Sequence, residues 1–160
     1  MVAVQKGDKV SLSKSTMIKV MSPLDANHYG YVHGGSIMRY VDESAFIAGT
    51  RHARRHIVTA SIDGLDFACP VRIGDLLILK SAVNFVGNTS MEIGVRIETE
   101  DAVKGETQFV GRAYVTMVAL DDLGNPTRIA QVIPETAEDK KRFKQAQVRR
   151  EHRLKIRKER

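Results

Sequence analysis

A helix that is apolar around most of its circumference has to be wrapped by the rest of a fold, and residues 36 to 52 predict one. Ile37, Met38, Val41, Ala45 and Ala48 recur at helical spacing, and Ser44, Phe46, Ile47 and Gly49 leave few strongly polar positions between them. What is available to wrap this helix is strand. Residues 56 to 68, 76 to 86, 91 to 99 and 107 to 120 read as consecutive strands joined by short turns, so neighbours run antiparallel. An earlier strand over 16 to 22 precedes the helix. One helix covering one face of a curved sheet is an α+β layer arrangement.

The strand patterns also predict faces. Val58, Ala60 and Ile62 share a face, Leu65 and Phe67 continue on the opposite parity, and Gly64 at the switch predicts a bulge. Leu77, Leu79, Val83 and Phe85 line one side of the next strand. Met91, Ile93, Val95 and Ile97 then alternate with Glu92, Arg96 and Glu98, the pattern of a strand with one face buried and one in water. In the first strand, Met17, Lys19 and Met21 alternate with Ile18 and Val20.

Residues 135 to 160 are different. Thr136 and Asp139 stand at capping-box spacing just past Pro134, and a polar helix follows in which Phe143, Val148, Leu154 and Ile156 are too sparse for an apolar stripe. Such a helix is either solvated or loosely docked on a partner subunit. It also holds the charge excess. Residues 138 to 160 contain eleven basic and four acidic side chains, a net +7, against +6 for the whole chain, so the rest carries −1. The division expected is therefore one domain over 1–134 and a basic helical tail over 135–160.

The single cysteine, Cys69, cannot form an internal disulfide, and the histidines show no metal-ligand spacing, so no metal and no oxidising compartment are expected. The first residues lack the apolar stretch of a secretory signal, and no run is long enough to cross a bilayer. The expectation is a soluble cytoplasmic protein.

The loop over 23 to 35 is long for a connection without secondary structure, which points to function. It reads Asn27-His28-Tyr29-Gly30-Tyr31-Val32-His33-Gly34-Gly35, and Asp42 follows on the helix. A glycine pair lets another group approach the backbone closely. A helix start offers free N–H donors at the positive end of its dipole, a suitable place for a carbonyl oxygen that becomes an oxyanion. A carboxylate on an otherwise apolar helix is costly to bury without a role or a partner. Glu43 lies about 100° further round and need not face the same way.

The order and spacing of Asn27, Gly30, His33-Gly34-Gly35, Met38 and Asp42 resemble those of the hotdog-fold acyl-CoA thioesterases, the group of the brain-type hydrolase and its short bacterial relatives. Val58-Thr59-Ala60, Pro70-Val71, Gly74-Asp75, Gly87-Asn88-Thr89-Ser90-Met91-Glu92 and Arg149-Arg150 extend the resemblance over most of the chain. It implies a strongly curved antiparallel sheet around one long central helix, paired edge to edge in a dimer, with trimers of dimers common in the family. It implies a site shared between protomers, with Asn27 of one and Asp42 of the other as the working pair. Asp42 is then general base on a water or the attacking nucleophile, and the backbone N–H groups of Gly34 and Gly35 polarise the thioester carbonyl. Thr59, Gly87, Thr89 and Ser90 are expected to hold coenzyme A. The resemblance further implies acyl-CoA as the substrate and no cofactor.

Two other readings compete. A hotdog hydratase or dehydratase would pair His33 with Asp42 or Glu43. A module for nucleic acid or another anionic polymer would use residues 138 to 160, although Phe143 is the only aromatic there, which makes nucleic acid an unlikely partner.

Overall fold

The computed structural model describes residues 7–159. Its elements are β1 (Asp8–Lys9), α1 (Val10–Ser13), β2 (Ser15–Val20), a 3₁₀ turn (Pro23–Asp25), α2 (Gly34–Ala53), β3 (His56–Phe67), β4 (Leu76–Val86), β5 (Ser90–Glu100), β6 (Thr107–Leu120), β7 (Val132–Ile133) and α3 (Ala137–Lys158). Five strands form one antiparallel sheet in the order β2-β4-β5-β6-β3, so β2 and β3 are its free edges. The predicted helix and strands all appear. The short parallel pair of β1 and β7 does not show in the sequence, because its register joins Asp8 to Val132 across almost the whole chain.

Helix α2 lies across one face of the sheet and packs on every strand from β2 to β6. Val41, Ala45 and Ala48 are fully buried there against Leu77, Leu79, Val83, Ile93, Val95, Ile97, Val115 and Met117. Ser44 is buried in the same seam, and its polarity is met by mutual hydrogen bonds with Ser81. The helix is not covered all round, however. Met38, Phe46 and Ile47 remain exposed, so its apolar circumference exceeds what one sheet covers.

Bulges decide which residues reach the core. In β3 the extra residue near Gly64 is present, with Gly64 at φ +67°, and a second one occurs at Ala60. The face predicted for β3 is therefore wrong at its start. Ile57 is buried while Val58 is 48% exposed, and only beyond the bulge does Ile62 turn inward. In β4 a bulge at Asn84 turns Phe85 away from the core and puts Val86 into it. A bulge adds one residue to one strand, and with a side-chain period of two that exchanges the faces.

The larger correction concerns α3. It is neither solvated nor loosely docked, but packs on the outer face of its own sheet. Phe143 stacks edge-on against the redirected Phe85 with ring centroids 5.0 Å apart, and Ala146 is fully buried. Glu92, predicted to face water, is 1% exposed beneath the helix. Arg149 reaches it with Nη2 at 2.6 Å and Nε at 3.1 Å, and Arg153 at 3.2 Å. Arg149 also lies 3.6 Å over the Tyr114 ring, and Arg153 bonds Asp63 at 2.9 Å. A buried charge persists only when paired, and the tail arginines supply the pairs. The capping box reads as predicted: Thr136 Oγ1 accepts the Asp139 N–H, and the Asp139 carboxylate accepts the Thr136 N–H. Among the described residues no helix is long and apolar enough to cross a membrane.

Candidate active site

The loop before α2 is built rather than slack. Ser22 and Asp25 form a capping box around the 3₁₀ turn. Beyond it the backbone folds back on itself, with Ala26 bridged to Val32 and the Asn27 N–H donating to the Tyr31 carbonyl at 2.7 Å. Gly30 closes this turn at φ +83°, a conformation in which a side chain would be strained. The Asn27 Oδ1 accepts the N–H groups of Tyr29 at 2.9 Å and Tyr31 at 3.2 Å. Two backbone donors on one side fix which end of the amide is oxygen. The Nδ2 end faces away from them and has no partner among the described residues.

Gly34 and Gly35 are not before the helix but are its first two residues. His33 is the N-cap, and its Nδ1 accepts the Gly35 N–H at 2.9 Å. That leaves the Gly34 N–H as the one of the pair without a partner among the described residues. The aromatic edge of Phe67 lies 3.4 Å from where a Gly34 Cβ would stand, so glycine keeps this donor beside the end of β3. His33 is also committed by its cap: a nitrogen that accepts from Gly35 is not free to act as a base. Glu43 turns away from the site to Arg39, 3.9 Å distant. Among the described residues of one chain, the pair that a hydratase would need is not assembled.

Asp42 is half-buried on α2, and its Oδ1 accepts the Thr59 hydroxyl at 2.5 Å. The sequence offers no sign of this bond, because Thr59 is 17 residues away on the edge strand. The contact depends on how α2 crosses β3. The eight-residue step from Gly34 to Asp42 amounts to a rise of roughly 12 Å along the helix. One thioester group does not touch both the Gly34 N–H and the Asp42 carboxylate of the same chain.

Gly87 and Thr89 lie in the turn before β5, and Ser90 is the first residue of that strand. Thr89 and Ser90 line a recess of about 490 Å³ with Thr116, Arg150, Arg153 and Arg157. Gly87 lies against Arg150, whose Nε would be 3.2 Å from a Cβ at that position. The tail thus brings cations to the predicted turn, which sequence spacing does not reveal. A wider groove of about 780 Å³ runs between the first half of α3 and the outer face of the sheet, and none of the predicted site residues lines it. Among the described residues no cluster of side chains is arranged to hold a metal ion.

Comparison with known proteins agrees with this architecture. The thioesterase superfamily model matches residues 29–106. The chain is 39% identical to the uncharacterized acyl-CoA thioester hydrolase YkhA of Bacillus subtilis over 127 residues, which is 79% of this chain and 74% of that protein. It is 36% identical to the rat cytosolic acyl coenzyme A thioester hydrolase over 88% of its own length, and spans 37% of that longer protein. The Staphylococcus aureus acyl-CoA hydrolase, solved with butyryl coenzyme A, coenzyme A and coenzyme A disulfide, superposes with a TM-score of 0.88 at 36% identity, covering 95% of this chain and 93% of that one. An apo-hexameric acyl-CoA thioesterase superposes with a TM-score of 0.90 at 36% identity, covering 94% and 97%. Sequence, sheet order and helix placement agree, and the chain belongs to the hotdog-fold acyl-CoA thioesterases of the thioesterase superfamily.

Proposed function

We propose that this protein hydrolyses acyl-CoA to a free carboxylic acid and coenzyme A, in sites shared by two copies of the chain. The observation that carries the reading is the placement of Asp42. Its carboxylate is aimed by Thr59 beside the uncovered edge strand β3. The donors suited to a thioester oxygen, Asn27 Nδ2 and the Gly34 N–H, belong to a different end of α2. A second copy paired along β3 brings Asp42 of the partner subunit to those donors and covers Phe46 and Ile47. Hexameric assembly of a structural relative supports such self-association, and dimers that assemble further as trimers fit the same edge pairing. Solved alanine variants of the Staphylococcus aureus enzyme replace an aspartate, an asparagine and a threonine. Those residue types match Asp42, Asn27 and Thr59 and support their assignment.

The chemistry follows from the geometry. Asn27 and the Gly34 amide donate to the thioester oxygen and stabilise the charge that grows on it. Asp42 takes a proton from a water that attacks the carbonyl carbon. The tetrahedral adduct collapses, the C–S bond breaks, and the proton held by Asp42 passes to the departing thiolate. Coenzyme A lies toward Gly87, Thr89 and Ser90, with its phosphates near Arg150 and Arg157. In this reading residues 1–134 carry the reacting groups and the helix of 135–160 adds cations to the substrate side. No metal or cofactor takes part, and the working compartment is the cytoplasm.

The test is complementation between inactive chains. Asp42→Ala and Asn27→Ala should each lower thiol release by roughly 10²-fold or more. Mixed, unfolded and refolded at equal amounts, the two should recover about a quarter of wild-type activity, because half of the dimers are hybrid and each hybrid has one intact site. No recovery on mixing would mean that both residues serve a site within one chain.

A further inference from the structure

Two buried polar side chains take no part in the hydrolysis described above, and both stand two residues from a group that does. Asp25 precedes Asn27 in the loop and is 3% exposed. Tyr40 precedes Asp42 on α2 and is 2% exposed. The Tyr40 hydroxyl donates to Asp25 Oδ1 at 2.7 Å. Arg39 Nη2 donates to the Tyr40 oxygen at 2.8 Å and lies 3.4 Å from Asp25 Oδ1. The other carboxylate oxygen accepts the Ser22 N–H at 3.1 Å and the Ser22 hydroxyl at 3.0 Å. The Asp25 carbonyl accepts the His33 N–H at 2.7 Å, tying the N-cap of α2 to the same residue.

Burial raises the Asp25 carboxyl, but the bonds from Tyr40 and Ser22 and the charge of Arg39 outweigh it, so the group stays below its ordinary range and is ionised near neutral pH. A buried carboxylate and phenol are a costly way to fill space that a phenylalanine and a leucine would fill with no desolvation penalty. What the ion and its partners add is direction. They join a turn whose backbone is hydrogen-bonded on itself beyond Asp25 to a helix that is continuous on either side of Tyr40.

We infer that Tyr40 and Asp25 are positioning residues for hydrolysis, a clamp that sets Asn27 and the Gly34 amide at the thioester oxygen. The inference rests on the proposed roles of Asn27 and Asp42. Because each site takes Asn27 from one chain and Asp42 from the other, the clamp of a given protomer serves the site to which that protomer supplies Asn27.

The experiment uses the hybrid dimers already described, assayed for kcat and KM with one acyl-CoA. Tyr40→Phe keeps the ring and removes the hydroxyl. Placed on the Asp42→Ala chain, which supplies Asn27 to the one live site, it should lower kcat roughly ten- to a hundredfold with KM little changed. Placed on the Asn27→Ala chain, it should leave kcat within about twofold of the parent hybrid, since misplacement of an idle loop has no geometric consequence. A general loss of stability would act equally from either chain. Equal loss from both placements, or no loss from either, overturns the inference while leaving the shared site intact. Failure of the parent hybrids to complement overturns the shared site and the clamp together. Should Tyr40→Phe not fold, Asp25→Asn placed in the same two ways gives the same readings.

Discussion

Replacing Arg149 with alanine should destabilise the protein by about 3 to 4 kcal/mol, most of it from one buried carboxylate. Glu92 is 1% exposed and lies under α3, where Arg149 grips it through two nitrogens. Removing one partner of a buried pair costs about 3 to 5 kcal/mol because the other charge stays behind without compensation. The lower end applies here, since Arg153 at 3.2 Å and the Asn84 amide at 3.3 Å still reach Glu92. Loss of the guanidinium from the face of Tyr114 adds about 0.5 to 1 kcal/mol. For a chain of this length the sum corresponds to a fall in Tm of roughly 6 to 16 °C. Urea unfolding followed by circular dichroism measures it, at fixed protein concentration so that association between copies does not enter the comparison. The double variant Arg149→Met with Glu92→Leu should recover most of the loss, because two apolar side chains need no partners. A single-variant cost below about 1 kcal/mol, the value of an exposed pair, would refute the claim that α3 is anchored by a buried charge. So would a double variant no more stable than Arg149→Ala.

Other expectations concern the core, the tail and acid. Gly49→Ala should cost no more than about 2 kcal/mol, read as the change in urea midpoint. The new Cβ would stand 2.9 Å from the Ile57 Cδ1 and 3.0 Å from the Met91 Cε, the ends of side chains that can shift, and the overpacking of about 1 to 3 kcal/mol is offset by about 1 kcal/mol of helix propensity gained inside α2. Thr136→Ala removes the acceptor that caps α3 and should cost about 1 kcal/mol in the same assay. Hydrogen bonds from Lys80 and Arg96 hold the Glu98 carboxyl below its ordinary value of 4.5. Its contribution to stability is therefore complete above that value and is lost as pH falls through the lowered folded value. Between about pH 6 and about pH 3 wild type should lose more of its urea midpoint than Glu98→Gln does, and parallel curves would remove Glu98 from the account.

The legible parts of the fold were those whose cause is local. The apolar positions of β5 (Met91, Ile93, Val95 and Ile97) and the helical spacing of Val41, Ala45 and Ala48 are properties of adjacent turns and pleats, and both reach the core as read. The Thr136 and Asp139 cap spans three residues and was visible for the same reason. Phe85 and Val58 were misplaced because a bulge leaves almost no trace in composition: Asn84 and Ala60 are ordinary strand neighbours, and only pairing with β5 and β6 shows them to be extra. At the site, the glycines and Asp42 stood out by residue type, whereas the cap made by His33, the bond from Thr59 and the clamp through Tyr40 did not.

The amino-acid order by itself settled the layer arrangement, the family and the residues worth suspecting, because periodicity and motif spacing are written along the chain. The tertiary structure alone decided that the basic tail closes over the sheet, that the Gly35 amide is taken by His33 while the Gly34 amide has no partner among the described residues, and that Asp42 accepts a bond from the edge strand. Each of those depends on side chains that meet only after distant segments cross. A buried charge, an occupied donor or a directed carboxylate is a property of the neighbours that folding brings, and no local pattern encodes them.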